Sequence, residues 1–435
     1  MTTNPARWFD SEENRMPITA AQVRPIPGSS MFLIRDGLEQ YSKTHPGSPA
    51  YDASQGDGGA SLGGVTMPAL AATLPRFNAT TGYGLQNGSL RVRQILLERF
   101  WKMDRLQLTP EHVILCNGGR DALLKWYKAI HARVCQNGHA IMTSSAPWIS
   151  YAHGTYLEGF NLLCAAQTEH MNFRITPEGI DEGLRVAGDV PVAGLILTTP
   201  DNPTGTHYTP DEIRSVINHA YKRGIRHILI DAIYQLVIDE SLEPYDWPDI
   251  LGGLDPEVRT SVTLMDGLTK CVGASNVRMA HMMCGDLTLA NTIKNHTTHG
   301  NLPNLLGQAA AFEVYESENV RKHPWVKRIT VPTSESRNVF NEHMRTSGHE
   351  FIAGQGYYGF VNVKKWVGTH LFGHHHRQIT SVDELGAYLA REYGIAVVHG
   401  TPFLQPDFIR FSYALPPDIT KAALHRFDQA LKSLH

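Results

Sequence analysis

Between about residues 76 and 330, short and nearly continuous apolar runs alternate with longer amphipathic stretches. Val113-Ile114-Leu115 precedes Gly118-Gly119 and an apolar-periodic stretch from Ala122 to Ile130. Gly194-Leu195-Ile196-Leu197-Thr198 precedes Asn202-Pro203. Thr209-Pro210-Asp211-Glu212 is a helix start, in which threonine caps, proline takes the first turn and glutamate reaches back. Ile213, Val216, Ile217, Ala220 and Tyr221 follow at helical spacing, and Gly224 ends the helix. His227-Ile228-Leu229-Ile230 is another buried strand. Strands apolar on both faces, separated by helices, predict an α/β domain whose mostly parallel sheet is covered by helices on both faces. Active sites in such sheets lie beyond the carboxyl ends of the strands.

The pattern changes towards the C-terminus. Phe360–Val363, Ile395–Val398 and Ile409–Ser412 are strand-like, while Val382 to Tyr393 and Ile419 to Leu434 are helix-like. These predict a small α+β domain over 331–435, beside a large domain over 76–330. Residues 1–75, rich in glycine, proline and serine around Gly56 to Gly64, are expected to form an N-terminal arm and part of the small domain, with a loop that packs onto another unit.

Composition narrows the function. At 435 residues the chain can bury a core without staples. An apolar share of 42% with 19% charged residues excludes a disordered or fibrous protein. Lys+Arg 39 against Asp+Glu 42 gives a net charge of −3, with no electrostatic pull toward nucleic acid or a membrane. No apolar run approaches the roughly 18 residues of a membrane span, and Met1 to Met16 has no apolar signal core. Cys116, Cys135, Cys164, Cys271 and Cys284 are scattered without CxxC spacing, which suits free thiols in a reducing cytoplasm. His374-His375-His376, near His370, cannot turn three adjacent side chains onto one ion and has no carboxylate or cysteine partner. A solvated loop is expected there, and no metal.

Several strand ends carry polar residues of a particular kind: Thr199-Pro200-Asp201-Asn202-Pro203-Thr204-Gly205, then Asp231-Ala232-Ile233-Tyr234, then Gly267-Leu268-Thr269-Lys270 with Arg278 eight residues on, and finally Arg410. Singly these are ordinary; such turns and strand-ending aspartates are common loop and cap chemistry. In this order and spacing they resemble the class I/II aminotransferases, the pyridoxal-phosphate (PLP) enzymes of fold type I. The resemblance runs from about residue 45 to the end.

It implies a role for each residue. Lys270 forms the Schiff base with PLP, helped by a desolvated site near cations that favours the neutral amine. Asp231 keeps the pyridine nitrogen protonated, so the ring acts as an electron sink. Asn202 and Tyr234 hydrogen-bond the ring oxygen. Arg278 and Thr269 meet the phosphate, and Gly118, Gly119 and Arg120 open the helix that binds it. Trp148 stacks on the ring. Arg410 grips the substrate α-carboxylate as a bidentate fork, and Gly56 closes over that carboxylate. Tyr83 reaches the phosphate of a partner subunit, which implies a homodimer with shared sites. Residues 296–301 fall where relatives bring an interface loop to the neighbouring site.

Two departures stand out. Many relatives carry serine where this chain has Gly267, and Thr269 replaces a second serine. Arg120 stands where a small hydroxyl residue or lysine is commoner, and either rebalances phosphate binding or contacts a second anion. No other arginine stands at a place that reads a distal carboxylate, which disfavours a dicarboxylate donor. The expected activity is a PLP-dependent aminotransferase acting between an L-α-amino acid and a 2-keto acid. The alternative is another PLP reaction on an amino acid: β- or γ-elimination or replacement, cyclisation, or O2-dependent oxidation, possible in specialised biosynthesis. All diverge from one carbanion, which the fold does not choose among. A non-catalytic DNA-binding regulator of this fold would need an added basic domain, which the N-terminus lacks.

Overall fold

The computed structural model describes residues 30–78, 82–134, 138–165, 172–352, 354–371 and 374–434. Residues 1–29 of the segment expected as the N-terminal arm, and Cys135, lie outside the described residues.

The helix Ser30–Thr44 packs along the helix Val382–Tyr393, where Gly37 permits contact so close that a Cβ would stand 2.9 Å from that of Ala390. Strand β1 (Tyr51–Asp52) follows. Seven strands then build the central sheet: β2 (Val113–Cys116), β3 (Ala140–Thr143), β4 (Asn161–Cys164), β5 (Val192–Thr198), β6 (Ile228–Asp231), β7 (Val262–Gly267) and β8 (Ala280–Cys284). Their spatial order is β2-β8-β7-β6-β5-β3-β4. Neighbours from β7 through β4 run parallel, and β8 is antiparallel to both β7 and β2. Side chains alternate between faces. Leu195, Leu197, Ile228 and Ile230 join one apolar cluster, whereas Ile196 and Leu229 join a second. Two covered faces account for strands without polar alternation.

Helices form where the local chemistry directs. Thr209 Oγ1 accepts from the Glu212 N–H at 3.2 Å while the Glu212 carboxylate accepts from the Thr209 N–H at 2.7 Å. The helix Pro210–Lys222 that follows buries Ile213, Val216, Ile217 and Ala220. The helix Gly119–Val134 starts directly after β2, its first turn braced by Asp121 accepting from the Asn117 N–H at 2.8 Å.

The C-terminal portion holds β9 (Phe351–Ile352), β10 (Tyr358–Asn362), β11 (His370–Leu371), β12 (His374–Gln378), β13 (Ile395–Ala396), β14 (Val398–His399) and β15 (Phe408–Ser412). β14-β15-β10-β9 form an antiparallel sheet, and β13 pairs in parallel with β1. Phe340, Val361, Leu385, Ile409, Phe411 and Phe427 share a separate apolar cluster. The single strand expected over 395–398 is two short strands broken at Val397. The last helix runs Pro417–Lys432 rather than 419–434, because Pro417 suits a first turn. The histidine run also differs from expectation: it is not a loop but strand β12, whose backbone pairs with β11 in a hairpin. The side chains of 374–377 lie outside the described residues. No helix among the described residues is long and apolar enough to cross a membrane.

Candidate active site

A cavity of about 570 Å³ opens beyond the carboxyl ends of β5, β6 and β7, closed on its far side by β14, β15 and the loop at Gly56. Four basic side chains and one acidic one line it: Arg120, Lys270, Arg278 and Arg410 against Asp231. Such a site favours anionic ligands.

Lys270 sits on the single helical turn Leu268–Cys271 that follows β7. At Gly267 a Cβ would stand 2.4 Å from the Met279 carbonyl oxygen and 2.7 Å from Ala280 Cα. Any side chain there meets the β8 backbone, which explains the glycine at this strand end. Lys270 Nζ donates to the Gly56 carbonyl at 2.8 Å. Desolvation lowers its pKa; Tyr358 and Asp57 oppose this, and Arg410 and Arg120 reinforce it.

Asp231 ends β6, one strand away. Its carboxylate accepts from Tyr151 Oη at 2.7 Å and from the Ile233 N–H at 3.2 Å. Burial raises its pKa to about 6, against the lowering effects of Tyr151, the Ile233 N–H and Lys270. Tyr151 also lies 2.7 Å from Thr198 Oγ1, tying β5 and β6 to the helix Ile149–Leu157. Trp148, the residue before that helix, meets Tyr151 edge-on at 5.4 Å. Tyr234 donates to the Tyr358 hydroxyl at 3.2 Å.

Arg410, on β15, is buried. Its Nη1 donates to Asn202 Oδ1 at 2.8 Å and its Nη2 to the Ser54 carbonyl at 2.6 Å, while its Nε has no partner. The guanidinium lies between the rings of Tyr358 and Phe403, 4.1 and 5.1 Å from their centroids.

The opposite end is built for an anion. Gly118 has φ +88°, and a Cβ there would stand 2.2 Å from Arg278 Nη2. Glycine thus permits both the turn and the guanidinium laid against the helix start. Arg278 Nη1 donates to the Ser275 carbonyl at 2.9 Å. Arg120 is exposed to the cavity, 5.6 Å from the Trp148 ring, with no hydrogen-bond or ion-pair partner among the described residues. Thr269 Oγ1 is buried, with no hydrogen-bond partner among the described residues.

The predicted residues therefore mostly converge. Gly56, Gly119, Arg120, Trp148, Asn202 and Asp231 line the cavity, as do Tyr234, Thr269, Lys270, Arg278 and Arg410. Gly118 lies behind Arg278. Tyr83 does not reach the cavity in this chain, and its side chain is fully exposed. Residues 296–301 do not line it either; the Asn301 carbonyl instead accepts from Lys125 at 3.2 Å. The glycine-rich loop, expected to pack onto another unit, docks within the chain. Cβ atoms at Gly59 and Gly64 would stand 2.0 and 2.3 Å from the Gly273 carbonyl oxygen.

Sequence reasoning missed Tyr151, Tyr358 and Asp57. Tyr151 carried a signal, standing three residues after Trp148 in the first turn of the helix that Trp148 precedes. Asp57, beside Gly56, accepts from Ser275 Oγ at 2.8 Å and from the Gly59 N–H at 3.1 Å. Tyr358 carried none, being one aromatic in an apolar strand. A Cβ on Gly56 would stand 1.7 Å from Tyr358 Oη and 2.7 Å from its Cζ. Gly56→Ala is therefore expected to cost about 1–3 kcal/mol by overpacking, measured as a lower denaturation midpoint with the slope unchanged.

The model of the family "Aminotransferase class I and II" matches residues 55–427. An aspartate aminotransferase of Bacillus sp. (strain YM-2) is 23% identical over 354 residues, covering 81% of this chain and 84% of that enzyme. A 1-aminocyclopropane-1-carboxylate synthase-like protein 1 of Bos taurus is 26% identical over 275 residues, 60% of this chain and 52% of that protein. Among solved structures, the aspartate aminotransferase of Rhizobium meliloti shares the fold with a TM-score of 0.81 at 17% identity, covering 97% of this chain and all of that one. The chain belongs to the class I and II aminotransferases, PLP-dependent enzymes of fold type I.

The residues present fit that cofactor. The orphaned Thr269 hydroxyl, the Arg278 guanidinium and a helix start suit a phosphate. An amine and a carboxylate stand on neighbouring strand ends.

Proposed function

We propose that the chain transfers an amino group between an L-α-amino acid and a 2-keto acid, with Lys270 as both the cofactor's anchor and the proton carrier. The observation that carries this is one cavity holding a desolvated lysine, a strand-end carboxylate and a buried arginine fork. When bound, PLP supplies the electron sink for the charge left at Cα. Asp231 would pair with the protonated ring nitrogen, and that charge would hold its carboxyl ionised. Asn202 and Tyr234 would donate to the ring oxygen, and Trp148 would cover one face. Arg278, Thr269 and the N–H groups at Gly118-Gly119 would hold the phosphate. Arg410 binds the α-carboxylate with Gly56 above it. Lys270 Nζ would accept the Cα proton and return it.

Arg120 supports a substrate with a second anionic group, since its guanidinium faces the cavity with no hydrogen-bond or ion-pair partner among the described residues. This revises the expectation against a dicarboxylate donor and fits relatives named for aspartate. Arg120→Gln is expected to lower kcat/KM for aspartate or glutamate roughly 10- to 150-fold, about 1.5–3 kcal/mol, with neutral amino acids little changed. A uniform loss across substrates, with weaker cofactor binding, would assign Arg120 to the phosphate instead.

We read 76–330 as the large domain and 331–435, with part of 1–75, as the small one, supported by their separate apolar clusters. A homodimer is supported by exposed Met67, Leu74, Leu90 and Leu305, on helices that pack together, beside exposed Tyr83 and Leu85. Four buried free thiols suit a cytoplasmic setting.

The test is a panel of L-amino acids given to the loaded enzyme without acceptor. One equivalent of 2-keto acid per site, becoming catalytic when a keto acid is added, is expected. Sustained release of ammonia or a cyclised product without acceptor would favour the alternative chemistry, which the synthase-like relatives keep in view.

A further inference from the structure

Tyr358 is buried within β10, and its hydroxyl enters the cavity wall among groups that carry charge. Tyr234 Oη donates to it at 3.2 Å. The Arg410 guanidinium lies 4.1 Å from its ring centroid. The loop at Gly56 approaches it so closely that only glycine fits. The hydroxyl is thus locked between β15, the Gly56 loop and the segment after β6, with Lys270 held to the same loop through the Gly56 carbonyl.

The groups facing this hydroxyl pull in opposite directions. Burial favours the neutral phenol, and the carboxylate of Asp57 does the same. Arg410, Lys270 and the hydrogen bond from Tyr234 favour the phenolate, and together they lower the Tyr358 pKa from its ordinary value. Tyr357 and Tyr413 show the contrast: they are as deeply buried, and their hydroxyls are pushed up.

A phenolate accepts a hydrogen bond and cannot donate one. Tyr234 has a single hydroxyl proton, so it cannot serve Tyr358 and a second acceptor at full strength. We propose that Tyr358 is a positioning residue that sets where the Tyr234 hydroxyl proton points. As a phenolate it captures that proton; as a phenol it donates to Tyr234 and frees the proton for the oxygen of the cofactor ring. Ionisation sends one proton from Tyr358 to solvent, and no other bond changes. The inference rests on reading Tyr234 as the donor to that oxygen, and it adds an alkaline control of cofactor grip.

The experiment follows the tyrosine Cζ resonances of ¹³C-labelled protein, free of cofactor, against pH. One resonance is expected to titrate below the phenol value of about 10. It disappears in Tyr358→Phe, which keeps the ring beneath Arg410. It moves to higher pH in Tyr234→Phe and in Arg410→Met, so the assignment survives even if Tyr358→Phe fails to fold. PLP affinity of the wild type is then expected to fall through the same pH range, with that step absent in Tyr358→Phe. No resonance below the ordinary range, or one that persists in Tyr358→Phe, overturns the proposal. So does a Tyr358 titration that cofactor affinity ignores. A failure of the site reading itself shows differently, as wild-type protein that takes up no PLP at any pH.

Discussion

Lys270→Ala is expected to leave the fold intact and to lower turnover by about 10⁴-fold or more. The fold is spared because the amine contributes one hydrogen bond, to the Gly56 carbonyl, from the wall of an existing cavity. Turnover is lost because no neighbour can replace it. Arg120, Arg278 and Arg410 are the other cationic side chains on the wall, and a guanidinium does not lose its proton under working conditions. Steady-state kinetics with added small primary amines checks the assignment. Partial rescue by such an amine, which restores a proton carrier, is expected in Lys270→Ala and in no other variant named here.

Arg410→Lys comes next in size. It keeps the charge and discards the fork. In the folded chain the two Nη groups are spent on Asn202 Oδ1 and the Ser54 carbonyl, which aims the guanidinium between Tyr358 and Phe403. Lysine cannot satisfy both acceptors and present a planar pair of donors to a carboxylate. Losing one partner of a buried charge-assisted contact costs about 2–5 kcal/mol, so kcat/KM is expected to fall roughly 30- to 4,000-fold. The loss belongs mainly in KM, and cofactor affinity is expected to hold, because Arg410 stands at the end of the cavity away from Arg278 and Thr269. Equal loss for amino acids and for analogues lacking the carboxylate would contradict this placement.

Much of this was legible in the chain because each feature was local. The capping box at Thr209 and Glu212 and the buried strands at 194–198 and 227–230 lie within a few residues of their causes. The strand-end residues Asn202, Asp231 and Lys270 were legible for a different reason. Parallel strands present their carboxyl ends at one edge, so polar residues there must converge. What escaped was non-local. Tyr358 matters because Arg410, Gly56 and Tyr234 fold around it, and no spacing along the chain encodes that meeting. Gly267 read as a departure until β8 supplied the backbone that excludes a side chain there. Arg120 read as a substitution until the fold turned its guanidinium into the cavity, with no hydrogen-bond or ion-pair partner among the described residues. The histidine run was misjudged because the pairing of His370–Leu371 with His374–Gln378 joins mostly polar residues that carry no strand signal of their own.

The most direct measurement is borohydride reduction of the PLP-loaded protein, followed by proteolysis and mass mapping of the labelled peptide. One phosphopyridoxyl group per chain is expected, carried by the peptide that spans Leu268–Cys271, on Lys270. Label on another lysine, or none after reconstitution, would contradict it.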